Sequence, residues 1–231
     1  MKIVFCHNVY DRIDTLYHTI GIEKMFFPES QSVVGYNYID PTEKLISFPN
    51  LECIKFNGIS HKIGCSNGFI STVKASLKYN PDVVIFSHDD VYINWMYIST
   101  IKRHIDEILN SNYDVVCRKT PDHSVIGGKY YMMEAIILSK KAVELCFSNL
   151  SEFKNEQQID RDIRGSISPE VFLYNRLNVE NIKINAIDYD NAAPIEEYNR
   201  LLGENLGFYH INIGYRGWND KDGITNSWKQ Y

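Results

Sequence analysis

The run Val83-Val84-Ile85-Phe86 leads straight into Ser87-His88-Asp89-Asp90. Four consecutive apolar residues read as a buried strand. That strand cannot carry two adjacent carboxylates through a core, so it must end, and emerge, where they stand. Two carboxylates side by side repel unless a cation, a hydrogen-bond network or a protonation shift relieves them. A fold that places this pair at the tip of a central strand therefore has a chemical reason to do so, or has simply put a solvated Asp-Asp turn there.

The segments around this run decide what kind of sheet it belongs to. Lys2–Cys6 is a strand candidate, followed by a helical face of Ile13, Leu16, Tyr17 and Ile20 within Asp11–Phe26. Leu51–Phe56 is a second strand, and Gly68–Tyr79 a helix with Phe69, Ile70, Val73 and Leu77 in phase, capped by Ser66 or Asn67. After Val83–Phe86, the segment Tyr97–Asn110 aligns Ile98, Ile101, Ile105, Ile108 and Leu109 as an amphipathic helix. Asp114–Cys117 and Glu134–Leu138 read as strands, Ser139 opens a helix over Lys140–Asn149, and Ser168-Pro169-Glu170 starts another that runs to Leu177. Ile182–Ile187 reads as the last strand, and beyond Asp188 the chain reads as loops rich in Asn, Gly and aromatics.

Alternating strands and helices imply a three-layer α/β fold with a mainly parallel sheet, whose ligands bind outside the carboxyl ends of the strands. His7-Asn8, Asn57-Gly58 and Ser87 to Asp90 all fall at such ends. One polar crevice is expected where they converge.

Composition narrows the chemistry. With 24 basic and 29 acidic residues, net charge −5, the chain lacks the basic excess of a duplex nucleic-acid binder. Its 5 cysteines are dispersed with no CxxC pair, which suits reduced thiols in a cytoplasmic setting better than a disulfide framework. The apolar run before His7 is too short for a signal peptide, and no stretch of about 18 apolar residues suggests a membrane span. A soluble protein is expected.

A hard divalent ion such as Mg²⁺ or Mn²⁺ takes oxygen ligands and bridges to phosphate oxygens, so Asp89-Asp90 at a central strand end suits a metal-diphosphate site. At this point a family resemblance enters. VVIFSHDDVYI resembles the strand plus Asp-x-Asp region of GT-A-type (nucleotide-diphospho-sugar) glycosyltransferases, in a variant reading HDDV. HNVYDRIDTLYHTI is similar to that superfamily's opening strand, nucleotide loop and helix, and CSNGFISTVKASLKYNPD resembles its Gly-containing loop and helix. The matches span residues 1 to about 95 in the family's order; the second half matches loosely. His88 stands where many members carry aspartate.

The resemblance implies a nucleotide-sugar donor, usually UDP-linked, with a metal neutralising the diphosphate. Asp90, aligned with the final aspartate of the motif, is the implied metal ligand; Asp89 would contact sugar or ribose or stand behind the metal's own ligands, beside His88. His7, Asn8 and Asp11 would lie around base and ribose, although an ordinary strand-to-helix loop explains them as well. Lys62, Ser66 and Asn67 would reach base or phosphates. In GFYHINIGYRGW, His210 holds the place where many such enzymes take a further metal ligand, and Tyr215, Arg216 and Trp218 would cover phosphates or stack on a sugar. Ser168-Pro169-Glu170-Val171 resembles the acidic site facing the acceptor, where Glu170 would act as base. The helix dipole alone also explains an acid there, and Glu134 is the competing candidate. Gly127-Gly128 would let the sugar approach closely.

The expectation is thus an α/β fold: a single GT-A-like Rossmannoid domain with a mainly parallel central sheet flanked by helices. Residues 1–95 would form the nucleotide-sugar-binding half, 96–190 the acceptor-side half, and 191–231 C-terminal loops covering the site. The expected function is a Mn²⁺- or Mg²⁺-dependent glycosyltransferase, a hexosyl- or pentosyltransferase, passing sugar to a hydroxyl of a glycan or glycoconjugate, with no nucleic acid and no transmembrane segment involved. The alternatives are a metal-dependent phosphohydrolase or nucleotidyltransferase, which would show acids and histidines at several strand ends, and a non-catalytic nucleotide- or carbohydrate-binding module.

Overall fold

A computed structural model describes residues 1–9, 12–58, 60–119, 130–161, 168–188 and 195–210. Chain order is β1 (Ile3–Val9), α1 (Ile13–Phe26), β2 (Gln31–Tyr36), a one-turn α2 (Thr42–Leu45), β3 (Leu51–Lys55), α3 (His61–Ser76), β4 (Val83–His88) and β5 (Val91–Ile93). It continues with α4 (Ile98–Leu109), β6 (Val115–Lys119), β7 (Tyr131–Ser139), α5 (Lys140–Cys146), α6 (Pro169–Leu177), β8 (Ile184–Asp188), α7 (Ile195–Leu206) and β9 (Phe208–His210).

Seven strands form one sheet in the order β3-β2-β1-β4-β7-β6-β8, and β5 pairs with β9 in a separate two-stranded ribbon. Within the large sheet β7 runs antiparallel to β4 and β6, and the other pairs are parallel. The strand order turns back between β1 and β4, where His7 pairs with Ser87 and Asn8 with His88. In open α/β sheets this switch point is where a ligand crevice opens.

Alternation along the strands builds two apolar layers. Val4, Cys6, Val84, Phe86, Val115 and Cys117 face the side covered by Phe69 and Val73 of α3, Val143 of α5 and Phe172 of α6. Ile3, Phe5, Val83, Ile85 and Val116 face the other side, covered by Ile101 and Ile105 of α4 and Leu202 and Leu206 of α7. Helix α1 closes the outer part of that second side through Ile13, Leu16 and Ile20. Phe69 stands edge-on to both Phe86 and Phe147, at ring-centroid separations of 4.8 and 5.0 Å.

Local chemistry sets the element boundaries. The Ser139 hydroxyl accepts from the Ala142 N–H (3.1 Å), and that of Ser168 from the Val171 N–H (3.3 Å), as the sequence led one to expect of caps. Helix α3 begins at His61 after Ser60, so Ser66 and Asn67 lie inside the helix rather than capping it. Five elements were not visible in the sequence pattern: β2, whose QSVVGY run contains a glycine and a serine, the short α2 and β5, and α7 and β9, which occupy a stretch read as loop.

Strand β7 contains the irregularity that matters most. Met133, Ile136 and Leu138 face the first layer, whereas Ala135 and Ile137 face the second. Strict alternation therefore breaks between Met133 and Ile136, and the β6–β7 register shifts between Cys117 and Lys119. A bulge of this kind re-aims a side chain. Here it turns Glu134 toward Arg118, which shares the second face with Val116.

At the opposite end of the sheet, Asp114 ties β6, β8 and α5 together. It accepts from the Lys183 N–H (2.9 Å), Lys141 Nζ (3.0 Å) and the Ser139 hydroxyl (3.3 Å). Partial burial pushes its pKa up, but these donors prevail and hold it below the usual carboxylate value. A depressed carboxylate pKa stabilises the fold above the unfolded-state pKa, and the contribution disappears as pH falls through the folded-state value. Asp114→Asn is expected to cost about 1–3 kcal/mol in urea denaturation at pH 7. Its deficit against wild type should shrink as pH falls below the ordinary aspartate pKa and wild-type Asp114 protonates; a deficit independent of pH would contradict this account.

Candidate active site

The two aspartates do not share an environment. Asp89 is buried, its N–H donates to the Asn8 carbonyl (3.1 Å), and its Oδ2 accepts the Arg12 N–H (3.1 Å) just ahead of α1. Asp90 points the other way and is partly exposed; its Oδ2 lies 3.7 Å from His210 Nε2. Divergence is how this chain relieves the repulsion between neighbouring carboxylates: one supports the start of a helix while the other faces an imidazole.

His210 reaches Asp90 through backbone geometry. Helix α7 ends at Leu206, and Gly207 takes φ +83°, where its N–H donates to the carbonyls of Gly203 (2.8 Å) and Leu202 (3.1 Å). Glycine suits this position twice over. The conformation is left-handed, and a Cβ would come within 2.4 Å of Ile101 Cγ1. The chain then runs antiparallel to β5, pairing Ile93 with Phe208, Tyr92 with Tyr209 and Val91 with His210. The Tyr92 and Tyr209 rings stack at 5.1 Å. Since Val91 follows Asp90, this register puts the imidazole beside the carboxylate.

The third member is Glu134, delivered by the β7 bulge. Its Oε2 lies 3.8 Å from His210 Nε2. Its Oε1 accepts from Arg118 Nη1 (2.9 Å) and from the Tyr198 hydroxyl (2.7 Å). Arg118 also donates to the Tyr198 oxygen, and its guanidinium sits 4.8 Å from that ring's centre. Burial raises the Glu134 pKa, but the Arg118 cation, His210 and the two hydrogen bonds outweigh it, and the carboxyl is held below its ordinary value. Glu134 is thus a fixed negative charge. A general base works best with a pKa near the working pH, which this environment does not supply.

Two donors about 2.1 Å from one ion stand about 3.0 Å apart at a right angle and at most about 4.2 Å apart. The 3.7 Å between Asp90 Oδ2 and His210 Nε2 lies between these two octahedral spacings, so a shift of under about 1 Å would let the pair share a single divalent cation. Among the described residues no group of three His, Cys, Asp or Glu side chains is arranged to hold a metal alone. An ion held by Asp90 and His210 alone would have to complete its shell with phosphate oxygens and water.

The remaining candidates take other places. His7 is buried, its Nε2 2.9 Å from Glu23 Oε1 and its Nδ1 3.1 Å from the Ser87 hydroxyl. Asn8 donates to the Gly64 carbonyl (3.2 Å) and packs against Gly68, where a Cβ would meet it at 2.4 Å. Asn67 is buried and bridges two segments, donating to the Asn57 and Phe153 carbonyls and accepting the Phe153 N–H. Ser66 bonds back to the Lys62 carbonyl, and Lys62 itself is exposed. His88 stands edge-on to Phe86, on the face opposite His7. Glu170 is partly exposed at the start of α6 and accepts from the Ser168 hydroxyl (3.1 Å). That helix packs on the sheet face opposite α7. Asp11, Gly127, Gly128, Tyr215, Arg216 and Trp218 lie outside the described residues.

Sequence reasoning missed Arg118, Tyr198 and Asn199. Arg118 carried a signal, since it follows VVC in a strand where a charge must have a partner. Tyr198, Leu202 and Leu206 are spaced as one helical face in IEEYNRLLGENL, a pattern masked by its Asn and Gly content.

By sequence, the chain matches no family model and no curated protein. By fold, it is similar to a solved glycosyltransferase involved in glycosylation of the major capsid of PBCV-1. That match has a TM-score of 0.55 and 10% identity, covering 91% of this chain and 93% of that one. S. aureus TarS (residues 1–349) in complex with UDP aligns with a TM-score of 0.48 and 16% identity over 87% of this chain and 63% of that one. An inositol-1-phosphate CTP transferase from T. maritima aligns with a TM-score of 0.45 and 13% identity over 81% and 84%. At such identities the likeness is one of fold. The chain has the GT-A-like α/β architecture, and the described residues contain no helix long and apolar enough to cross a membrane.

Removing one partner of a buried ion pair leaves the other uncompensated. Arg118→Met is therefore expected to cost about 3–5 kcal/mol in equilibrium denaturation, while Arg118→Met with Glu134→Leu should recover most of that loss. A loss in the double variant equal to the sum of the two single losses would show that the pair is not coupled.

Proposed function

We propose that this protein is a divalent-metal-dependent glycosyltransferase that transfers a sugar from a nucleoside-diphosphate donor, UDP-linked, to a hydroxyl of a glycan or glycoconjugate. The observation that carries this reading is the 3.7 Å approach of Asp90 and His210, brought together from distant parts of the chain at the carboxyl edge of a GT-A-like sheet.

In this reading Asp90 and His210 hold Mn²⁺ or Mg²⁺, which would neutralise the charge that develops on the departing diphosphate. The chain's own groups do the rest. Ionised Glu134, balanced by Arg118, keeps the seat electronegative without adding an unpaired buried charge. Asp89, fixed against the backbone ahead of α1, would contact ribose or sugar, with His88 on the neighbouring β4 position. Exposed Lys62, in the first turn of α3, would meet phosphate; buried Asn8, Ser66 and Asn67 would support the site from the α3 side, and buried His7 from the α1 side. Of the two acids, Glu170 keeps the solvent access that a base for the acceptor hydroxyl needs.

Isothermal titration with UDP and a panel of UDP-sugars, with and without Mn²⁺, tests the proposal. Wild type should bind with Mn²⁺ at least about tenfold more tightly than without it, which corresponds to about 1.4 kcal/mol. Asp90→Ala should abolish the metal-dependent part while the protein stays folded. Failure of every nucleotide sugar to bind with metal present would overturn the reading, and turnover of nucleoside triphosphate with release of pyrophosphate would replace it with nucleotidyl transfer.

A further inference from the structure

His210 is the last described residue of β9, a strand only three residues long. Pairing with β5 fixes it along one edge, at Val91. On another side, a single side chain takes the place of a neighbouring strand. Asn199 Nδ2 donates to the His210 carbonyl (3.1 Å), and the His210 N–H donates to Asn199 Oδ1 (2.8 Å). A carboxamide offers the same donor and acceptor as a peptide group, so both backbone polar groups of His210 are satisfied by one residue. Asn199 is 5% exposed and His210 1%, so water does not compete for these bonds.

The two contacts fix where the imidazole can go. With both backbone groups clamped and the β5 register set, the His210 Cα position and peptide plane are held, leaving only side-chain torsions to aim Nε2. Asn199 follows Tyr198, which holds Glu134 Oε1 from the same helix. Consecutive residues of α7 therefore support two walls of one site, and Gly203, where a Cβ would come within 2.4 Å of Tyr97, lets that helix sit close to the segment preceding α4.

We infer that Asn199 is a positioning residue for the metal seat, holding His210 in the place where its Nε2 and Asp90 converge on one cation. The inference rests on the reading that Asp90 and His210 bind a divalent metal. Partners that orient a metal ligand from behind typically change metal affinity by about 10–100-fold when removed.

The test measures Mn²⁺ affinity by electron paramagnetic resonance, in the presence of UDP, for wild type, Asn199→Ala and the near-isosteric Asn199→Asp, well below each protein's unfolding temperature. Asn199→Asp keeps the acceptor for the His210 N–H but loses the donor to its carbonyl. The expected result is a loss in Mn²⁺ affinity of about 10–100-fold for Asn199→Ala and a smaller loss for Asn199→Asp, with metal-free UDP affinity unchanged in both. If both variants are folded and bind Mn²⁺ as wild type does, whatever their melting temperatures, Asn199 is merely structural and the inference falls. If wild type itself binds no Mn²⁺ with UDP, the metal reading fails instead, and the two failures are distinguishable.

Discussion

Pairing between β5 and β9 is the interaction on which the site depends. Left alone, the three residues of β5 would expose an unpaired row of backbone donors and acceptors. Strand β9 satisfies them, and its register, Val91 to His210, sets the imidazole beside Asp90. Everything that delivers β9 serves that register: the packing of α7 on α4, the left-handed turn at Gly207 and the bond from the Asn94 N–H to the Gly207 carbonyl (2.9 Å). His104 reinforces the same junction, its Nε2 2.7 Å from the Asn205 carbonyl and its Nδ1 2.9 Å from Glu107.

Around that ribbon the chain keeps charges where an apolar core would be cheaper. Arg118 and Glu134 are both buried, and replacing such a pair by well-packed apolar residues is often neutral or stabilising. Their presence next to His210 makes sense if the seat needs a defined field: one carboxylate fixed by an arginine and a tyrosine, and a second, Asp90, facing the imidazole. Asp89 is withdrawn from this cluster by the Arg12 N–H, so the adjacent aspartates face different partners.

Much of this was legible in the sequence. The Val83–Phe86 run, its polar tip, the central position of its strand and the caps at Ser139 and Ser168 follow from local patterns that tertiary structure did not override. Asp90 and His210 were singled out, and the fold brings them together from distant parts of the chain. What was not legible is non-local. Whether β7 runs parallel or antiparallel does not alter its apolar pattern, and a bulge that turns Glu134 toward Arg118 leaves no mark in MEAIILS. The family resemblance implies ligand contacts for His7 and Asn67. Their burial, against Glu23 and Ser87 for one and backbone groups for the other, depends on helices whose placement no short motif encodes.

The central claim is that one cation is held jointly by Asp90 and His210 against a nucleoside diphosphate. Pulsed electron paramagnetic resonance on the Mn²⁺ and UDP complex tests it most directly. The account predicts a ³¹P coupling from the diphosphate together with a ¹⁴N coupling from a ligating imidazole, the latter lost in His210→Ala. A complex that shows the ³¹P coupling but no ¹⁴N coupling in wild type would contradict it, because the metal would then sit away from the β5–β9 ribbon.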